Sequence, residues 1–377
     1  MLFKDVIGLV DLKKNLVQTV KDGRVSHAQV FLGSQGSGNL ALAIAYAQYI
    51  NCTNKQEDDS CSECLSCIKY QKIVHPDLHF VFPVASTASV TSKPVSDNFI
   101  VEWREALLDN PYLDVFTWLE RLGVENKQGI INTDESSSIF KKLSLTTYES
   151  EYKVMIIWMA EKMNISCSNK LLKILEEPPE KTLFLLVVEE HEKLLSTIIS
   201  RTQLVKVNKI KDDELIGALQ QKHSISLTQA QLICHLSNGN YNVAVQLIQE
   251  TDGDDFNPTN LQLWVRYCYG RKFADLITWV DSIAAIGREK QKNFLNYVSQ
   301  IMRETLLLHL KLENLVRLNG QELQFSKKFS PFVHPKNCVE ILDQLNKAIN
   351  QIERNAHPKI LLLDLSFKMV DLLHIPV

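Results

Sequence analysis

Short runs of consecutive apolar residues alternate with helical patterns over the first 208 residues of the chain. Such runs are typical of strands that are buried on both faces of a parallel sheet. We predict five strands, at Ala28–Leu32, Leu78–Pro83, Val154–Ile157, Leu183–Val188 and Leu204–Val207. Apolar residues at helical spacing between these runs, as in Asp11–Lys21 and Asn169–Glu177, predict the intervening helices. Strands that alternate with helices indicate an α/β domain over residues 1–208.

After residue 208 the apolar positions follow only the helical period. Residues 209–256 hold three helical patterns, so we predict a small three-helix domain there. A run rich in Asp and Gly, Thr251–Asp255, and the nearby Pro258 predict a linker at its end. Residues 257–377 are helical throughout and predict a larger all-helical domain.

The composition adds three limits to this picture. The 377 residues are 45% hydrophobic and 23% charged, as in an ordinary globular protein. A net charge of -3 argues against a surface that binds nucleic acid unaided. No apolar run approaches the ~20 residues of a membrane span, so we expect a cytoplasmic protein whose cysteines are reduced or bound to metal.

Four of the eight cysteines, Cys52, Cys61, Cys64 and Cys67, fall within sixteen positions. Cysteines two residues apart can bind one zinc ion, and four thiolates complete a tetrahedral, structural site. The segment between them is polar, so a metal would supply stability that packing does not. We predict a structural zinc site here; unrelated loop cysteines or a redox switch are the alternatives. The other cysteines lie in helical patterns and are expected to be core.

The stretch Gly33–Leu40 lies between a predicted strand and a predicted helix, which is the setting of a phosphate-binding P-loop. Gly33 and Gly38 fall where that motif has glycine, and Gly36 lies between them in the loop. Asn39 stands where the motif has lysine, and Leu40 stands where it has the Ser or Thr that binds magnesium. The sequence therefore predicts a nucleotide-binding scaffold without its charged and metal-binding groups.

A second motif of nucleotide hydrolysis is also altered. The strand Val154–Ile157 would end in acidic residues in an ATPase, yet Trp158 and Met159 follow it. Glu161 lies slightly beyond and is the alternative candidate for the acidic role, but we expect it to be a solvated residue at the start of the next helix. The two altered motifs together predict a domain that does not hydrolyse ATP.

Several segments resemble the clamp-loader family of the AAA+ ATPases. The most specific is Asn169–Pro179, with the sequence NKLLKILEEPP; Ile7–Gly8, His27–Gly33, the four-cysteine segment and Thr197–Arg201 also match. The resemblance is clear to about residue 245 and general beyond it. Thr202 departs from the family, which has cysteine there, and residues 85–129 are longer than its average.

This resemblance implies a RecA-like domain, a helical lid and a collar domain that oligomerises. It implies that Arg201 is an arginine finger, which acts on the ATP site of a neighbouring subunit. By itself a Ser-Arg pair would indicate only a surface ion pair. The lid of active members has a nucleotide-contacting arginine where this chain has Asn242.

We therefore predict a clamp-loader subunit that does not hydrolyse ATP and that helps to load a sliding clamp onto primed DNA. The predicted partners are the other clamp-loader subunits and, through the complex, the clamp and primer-template DNA. Structural zinc is the predicted cofactor. Two other classes remain open: an active AAA+ ATPase with divergent motifs, and a zinc-bearing DNA-binding module.

Overall fold

The computed structural model describes residues 1–124, 127–251, 256–316, 318, 320–354 and 356–376. These residues form two compact units, one of residues 1–230 and 237–245 and the other of residues 231–236 and 246–377. Residues 252–255 of the predicted linker lie outside the described part. Pro258 lies not in a linker but in the first turn of a helix, where a missing N–H costs no hydrogen bond. The domain boundaries at residues 208 and 256 stay predictions.

The first unit contains one five-stranded sheet. Its strands are β1 (Ala28–Gly33), β2 (Leu78–Val81), β3 (Lys153–Trp158), β4 (Thr182–Val188) and β5 (Gln203–Val207). All neighbours are parallel, and their order across the sheet is β2-β3-β4-β1-β5. The five predicted strands and the predicted α/β class are therefore confirmed. Because the strands are parallel, their carboxyl ends share one edge of the sheet and their amino ends share the other.

Helices connect these strands and follow the last of them, up to residue 251. They are α1 (Val10–Lys21), α2 (Asn39–Ile50), α3 (Leu65–Gln71), α4 (Ile100–Asp109), α5 (Val115–Arg121), α6 (Thr133–Leu143), α7 (Ile165–Glu176), α8 (Ser196–Ile199), α9 (Asp212–His223), α10 (Leu227–Ser237) and α11 (Tyr241–Thr251). Helix α7 begins four residues earlier than the apolar pattern predicts. The Asn164 side chain accepts a hydrogen bond from Cys167 N at 2.8 Å and thereby starts the helix.

The described residues after residue 255 form helices, as predicted. They are α12 (Phe256–Tyr269), α13 (Phe273–Ala284), α14 (Arg288–His309), α15 (Gly320–Phe329), α16 (Pro335–Glu353) and α17 (Pro358–Leu373). Their core contains stacked rings of Trp264 and Trp279, whose centroids lie 5.4 Å apart. The Trp264 indole N–H donates to Ser366 Oγ at 2.9 Å, which satisfies a polar group inside this core. In the part of the chain that the structure describes, no helix is long and apolar enough to cross a membrane.

Candidate functional site

The altered P-loop connects β1 to α2 at the carboxyl edge of the sheet. Gly36 and Gly38 have φ angles of +69° and +86°, a region that side chains other than glycine rarely adopt. Gly38 directly precedes α2, and every residue of α2 is buried. The strand, loop and helix predicted around residue 33 are therefore present. The surroundings of the loop decide what the loop can bind.

Asn39 turns inward at the position where a P-loop has lysine. Its Nδ2 atom donates to the carbonyl oxygens of Gly33, at 3.1 Å, and Val188, at 3.5 Å. Its Oδ1 atom accepts a hydrogen bond from Leu40 N at 2.9 Å. Asn39 and Leu40 are only 6% and 2% exposed. The amide is thus committed to the protein backbone and presents no cation to a phosphate group.

Other parts of the same unit lie directly on the outer face of the loop. The Gly36 carbonyl accepts a hydrogen bond from Tyr241 N at 3.2 Å, and the Asn240 side chain contacts Gly36. A Cβ atom on Gly38 would lie 2.7 Å from the Tyr112 ring. These residues cover the outer face of the loop, and in this sense the loop is closed in this structure.

Tyr112 is fixed over the loop by contacts on both sides. Its hydroxyl oxygen accepts a hydrogen bond from Ile7 N at 2.7 Å, and its ring centroid lies 4.8 Å from that of Tyr241. Asn242 Nδ2 donates to the Tyr112 carbonyl, and Asn110 Nδ2 donates to Asn242 Oδ1 at 2.8 Å. Asn242, which stands where the resemblance implies a nucleotide-contacting arginine, therefore helps to hold the residue that covers the loop.

Trp158 replaces the expected acidic residue with part of an aromatic core. Its ring lies 5.0 Å from that of Trp103, which stacks on Phe82 at 4.2 Å and meets Trp118 edge-on at 5.1 Å. The Trp118 indole N–H donates to the Pro83 carbonyl at 2.8 Å. Trp103 and Trp118 belong to α4 and α5, to which the sequence assigned no role. These helices bury Trp158, and the turn between them carries Tyr112.

The expectation that Glu161 is solvated is wrong. Its Oε1 atom accepts hydrogen bonds from Glu189 N, at 2.9 Å, and Glu190 N, at 3.2 Å. These two residues directly follow β4. Burial raises the pKa of Glu161 above its usual range. Burial, followed by the negative charge of Glu161, raises the pKa of Glu189 to about 8. The carboxyl edge of the sheet therefore disfavours additional negative charge.

The four clustered cysteines meet at one point beside α3. Their Sγ atoms all lie within 4.8 Å of one another. The Cys52–Cys61 and Cys61–Cys67 Sγ–Sγ distances are 3.6 and 3.9 Å. A tetrahedral zinc ion with Zn–S bonds of ~2.3 Å separates its sulfur atoms by about 3.8 Å, whereas a disulfide requires ~2.05 Å. The four cysteines can therefore bind a metal such as zinc.

Backbone N–H groups prepare the same sulfur atoms for metal binding. Cys61 N lies 3.3 Å from Cys52 Sγ, Cys64 N lies 3.3 Å from Cys61 Sγ, and Cys67 N lies 3.4 Å from Cys64 Sγ. Such hydrogen bonds favour the thiolate form that ligates metal. The other cysteines, Cys167, Cys234, Cys268 and Cys338, are buried, as predicted.

Arg201 lies in the turn that joins α8 to β5, at the amino edge of the sheet. Its NH2 atom forms an ion pair with Glu176 Oε1 at 2.7 Å, and its NH1 atom donates to the Thr197 carbonyl at 3.0 Å. The arginine side chain is 38% exposed. Because β1 and β5 are parallel, the length of a strand separates Arg201 from the P-loop, or roughly 17–20 Å. The arginine and the loop therefore cannot act on the same phosphate.

Sequence reasoning did not identify Tyr112 or Asn110, the residues that close the loop. They lie seventy and seventy-two positions after Leu40 of the P-loop, in a turn that carries no recognisable motif. The single available signal was Trp103 and Trp118 near an equally unexpected Trp158, which together indicate that the segment packs against the sheet.

Comparison with known proteins agrees with this arrangement of motifs. A family profile described as DNA polymerase III, delta subunit, matches residues 9–211, which is more than half of the chain. The chain is 22% identical to DNA polymerase III subunit tau and 26% identical to subunit delta', both from Bacillus subtilis; the matches cover 95% and 64% of this chain. It spans 59% of the length of each of these relatives.

A DNA polymerase III gamma subunit-related protein from Thermotoga maritima is a similar solved structure. It has a TM-score of 0.38 and 15% identity, with 97% of this chain and 100% of that chain covered. The family is assigned from the profile match because that match covers more than half of the chain. This chain belongs to the DNA polymerase III delta-subunit family of clamp-loader proteins.

Proposed function

We propose that this chain is a clamp-loader subunit of bacterial DNA polymerase III of the delta-prime type, which does not hydrolyse ATP. It helps to load the sliding clamp onto primed DNA, and Arg201 acts in trans on the ATP bound by a neighbouring subunit. Its partners are the ATPase motor subunits and the delta subunit, and it meets the clamp and primer-template DNA through the complex. A cytoplasmic site of action is part of the same proposal.

The observation that carries this proposal is the contrast between the two ends of the sheet. The P-loop is covered by Tyr112 and by Asn240 and Tyr241, whereas Arg201 is exposed at the opposite edge. A chain with this arrangement can contribute a cation to a partner's phosphate without binding a nucleotide in its own loop. The relatives named tau and delta' support the same complex, and the choice of the delta-prime type rests on Asn39, Leu40 and the closed loop.

The chemistry of an arginine suits the proposed role. A guanidinium is charged at all physiological pH values and presents five N–H donors in a planar fork that matches phosphate oxygens. Negative charge on the γ-phosphate oxygens is stabilised during phosphoryl transfer by such a group from a neighbouring protein. The contacts of Arg201 with Glu176, Thr197 and Ser200 in the free chain leave other guanidinium donors available.

The test is Arg201→Ala in the clamp loader reconstituted with the other subunits, the clamp and primed DNA. We expect normal assembly and a large fall in ATP hydrolysis, because an arginine finger contributes ~10³–10⁵ in rate at one site. Several ATP sites in the complex would make the overall fall smaller. Arg201→Lys should restore little activity, since an ammonium lacks the planar fork.

Arg24→Ala is the matched control, because Arg24 is an exposed arginine that also forms an ion pair, with Asp22. It should leave assembly and ATP hydrolysis unchanged. Equal rates for wild type and Arg201→Ala would exclude the finger and leave this chain a structural role in the complex.

The isolated chain should not hydrolyse ATP. Asn39→Lys should not create activity, because Leu40 and Trp158 still stand in the metal-binding positions. ATP turnover by the highly purified chain that disappears on Glu161→Gln would instead support an active ATPase with divergent motifs.

We also propose that the four cysteines bind one structural zinc ion. Four thiolates fill a tetrahedral site and leave no position for a substrate, so the metal would stabilise the segment and take no part in hydrolysis. The Sγ–Sγ distances support zinc over a disulfide.

A further inference from the structure

Arg201 shares its ion pair with a residue that the proposed mechanism has not yet used. Glu176 Oε1 lies 2.7 Å from Arg201 NH2, and the glutamate side chain is 50% exposed. Glu176 is the first glutamate of the Glu-Glu-Pro-Pro run that ends the most specific segment of the family resemblance. The pair therefore connects two segments that are separate in sequence.

The backbone that carries Glu176 is fixed. Glu176 is the last residue of α7, and Pro178–Pro179 follow it, which prevents the helix from continuing. The carbonyl of the preceding Leu175 lies 3.2 Å from His27 Nε2, and the Leu175 side chain is 1% exposed. The end of α7 is thus attached to the residue before β1. The backbone from which the Glu176 side chain extends therefore has a fixed position.

The backbone that carries Arg201 is fixed against the same core. Ile198 in α8 is fully buried, in a hydrophobic cluster that also contains Ile174 and Leu175 of α7. The Ile198 carbonyl accepts hydrogen bonds from Arg201 N at 3.1 Å and from Thr202 Oγ1 at 3.0 Å. Both side chains of the ion pair therefore extend into solvent from adjoining, well-packed helix ends.

We infer that Glu176 is a positioning residue for Arg201. A free arginine side chain has many rotamers, and ordering it at the moment of reaction costs conformational entropy. The contacts with Glu176 and with the Thr197 carbonyl restrict the guanidinium before a partner arrives. The partial negative charge at the C-terminus of α7 adds to this attraction. This inference rests on the proposed function, in which Arg201 acts on a partner's ATP.

The exposure of the pair sets the size of the effect. Ion pairs between exposed side chains are weak, so a phosphate group can recruit the remaining guanidinium donors without a large barrier. Loss of Glu176 should therefore reduce the fraction of correctly placed Arg201 but should not abolish hydrolysis. ATP affinity belongs to the partner's own P-loop, so the change should fall on kcat and leave KM unchanged.

The experiment compares variants in the reconstituted clamp loader with clamp and primed DNA. Glu176→Gln removes the charge and keeps a hydrogen-bond acceptor, whereas Glu176→Ala removes both. Glu177→Gln is the matched control, because among the described residues no ion pair is observed for this exposed neighbour. Each variant is made with Arg201 present and with Arg201→Ala, and assembly is checked by size-exclusion chromatography.

We expect a fall in kcat of about two- to fivefold for Glu176→Gln and a larger fall for Glu176→Ala, with KM unchanged. Both effects should disappear in the Arg201→Ala background, because Glu176 acts only through Arg201. Glu177→Gln should match wild type.

The other outcomes separate the inference from the proposed function. If Arg201→Ala lowers kcat and both Glu176 variants match wild type, the positioning role is wrong and the finger remains. A higher kcat in the Glu176 variants would show that the pair restrains Arg201, which also contradicts the inference. An equal fall in the Arg201→Ala background would assign Glu176 a separate role. No effect of Arg201→Ala would remove the proposed finger, and the inference with it.

Discussion

The two edges of the sheet differ in what they present to solvent. At the carboxyl edge, where a P-loop binds phosphate in active ATPases, Asn39 bonds to the backbone and Tyr112 covers the glycines. At the amino edge, an exposed ion pair with Glu176 and hydrogen bonds to the Thr197 carbonyl and Ser200 Oγ hold Arg201. Residues of the same unit cover the P-loop at one edge, while a charged side chain is exposed at the other.

In the proposed function, this contrast is that of a nucleotide-binding fold that no longer uses a nucleotide of its own. Loss of the lysine alone would leave an open loop whose N–H groups still attract phosphate. In this chain the turn between α4 and α5 supplies Tyr112, and the start of α11 supplies Tyr241 and Asn242, so residues of the same unit cover the loop. Asn39, Trp158 and Asn242, which stand where active ATPases have charged residues, thus all pack within the region around the covered loop.

The largest effect on stability should come from the metal cluster. Zinc supplies ~10–16 kcal/mol to small zinc-finger peptides, and we expect Cys64→Ser to lower the free energy of unfolding by about 5 kcal/mol, because a preformed α/β core limits the loss. The purified chain should contain about one zinc ion, and the variant none. Elemental analysis and urea unfolding measure the two effects.

Hydrogen exchange would show whether the loss of stability in Cys64→Ser is confined to the cysteine segment or extends to the P-loop at the carboxyl edge. Amides of residues 52–67 should exchange faster in Cys64→Ser, while those of the closed P-loop should change little. Cys167→Ala, which alters a buried cysteine outside the cluster, should keep its zinc. Wild-type protein that is free of metal as purified would contradict the zinc assignment.

A smaller effect should follow from opening the carboxyl edge. Tyr112→Ala removes a buried ring and leaves Ile7 N without its acceptor, so we expect a loss of about 3 kcal/mol in the free energy of unfolding. Tyr148→Ala is the control, because that tyrosine is 81% exposed.

With the loop uncovered, Tyr112→Ala should bind ATP more tightly than wild type does, as measured by calorimetry, and still not hydrolyse it. Equal ATP affinity in the two proteins would show that Tyr112 is not what excludes the nucleotide.

The sequence predicted the strands and the P-loop because both depend on local patterns. Five short apolar runs were sufficient to predict a parallel sheet, and the spacing of the glycines was sufficient to predict the loop. The cysteine cluster followed from spacing alone, since ligands three positions apart can converge on one metal ion whatever the fold.

The closure of the loop was not predictable in the same way. Tyr112 and Asn110 are polar turn residues whose importance comes from contacts with Ile7 and Asn242, which are far away in sequence. Glu161 was misjudged for the same reason, because its partners are backbone N–H groups at the end of a different strand. Long-range polar contacts leave no periodic signal.

The smallest expected effect concerns Glu189 and the pH dependence of stability. Burial and the charge of Glu161 raise its pKa from 4.5 to about 8 in the folded chain. Between these values the folded chain retains a proton that the unfolded chain has lost, so the free energy of unfolding falls as pH rises from about 4.5 to 8. Glu189→Gln removes this titration and should be more stable than wild type at pH 8, with the difference vanishing near pH 4.5.

Urea unfolding at several pH values measures the difference between the two curves, and solvent near the half-buried Glu189 should keep it modest. Glu190→Gln is the matched control, because Glu190 is exposed and pairs with Lys193 at 2.5 Å, so it should not reproduce the gain at pH 8. Glu161 and Glu135 also have raised pKa values and contribute to the slope in all three proteins, so only the difference from wild type reports on Glu189. Parallel curves for wild type and Glu189→Gln would mean that Glu189 ionises near its usual pKa. The carboxyl edge would then be more hydrated than the contacts of Tyr112 and Trp158 indicate.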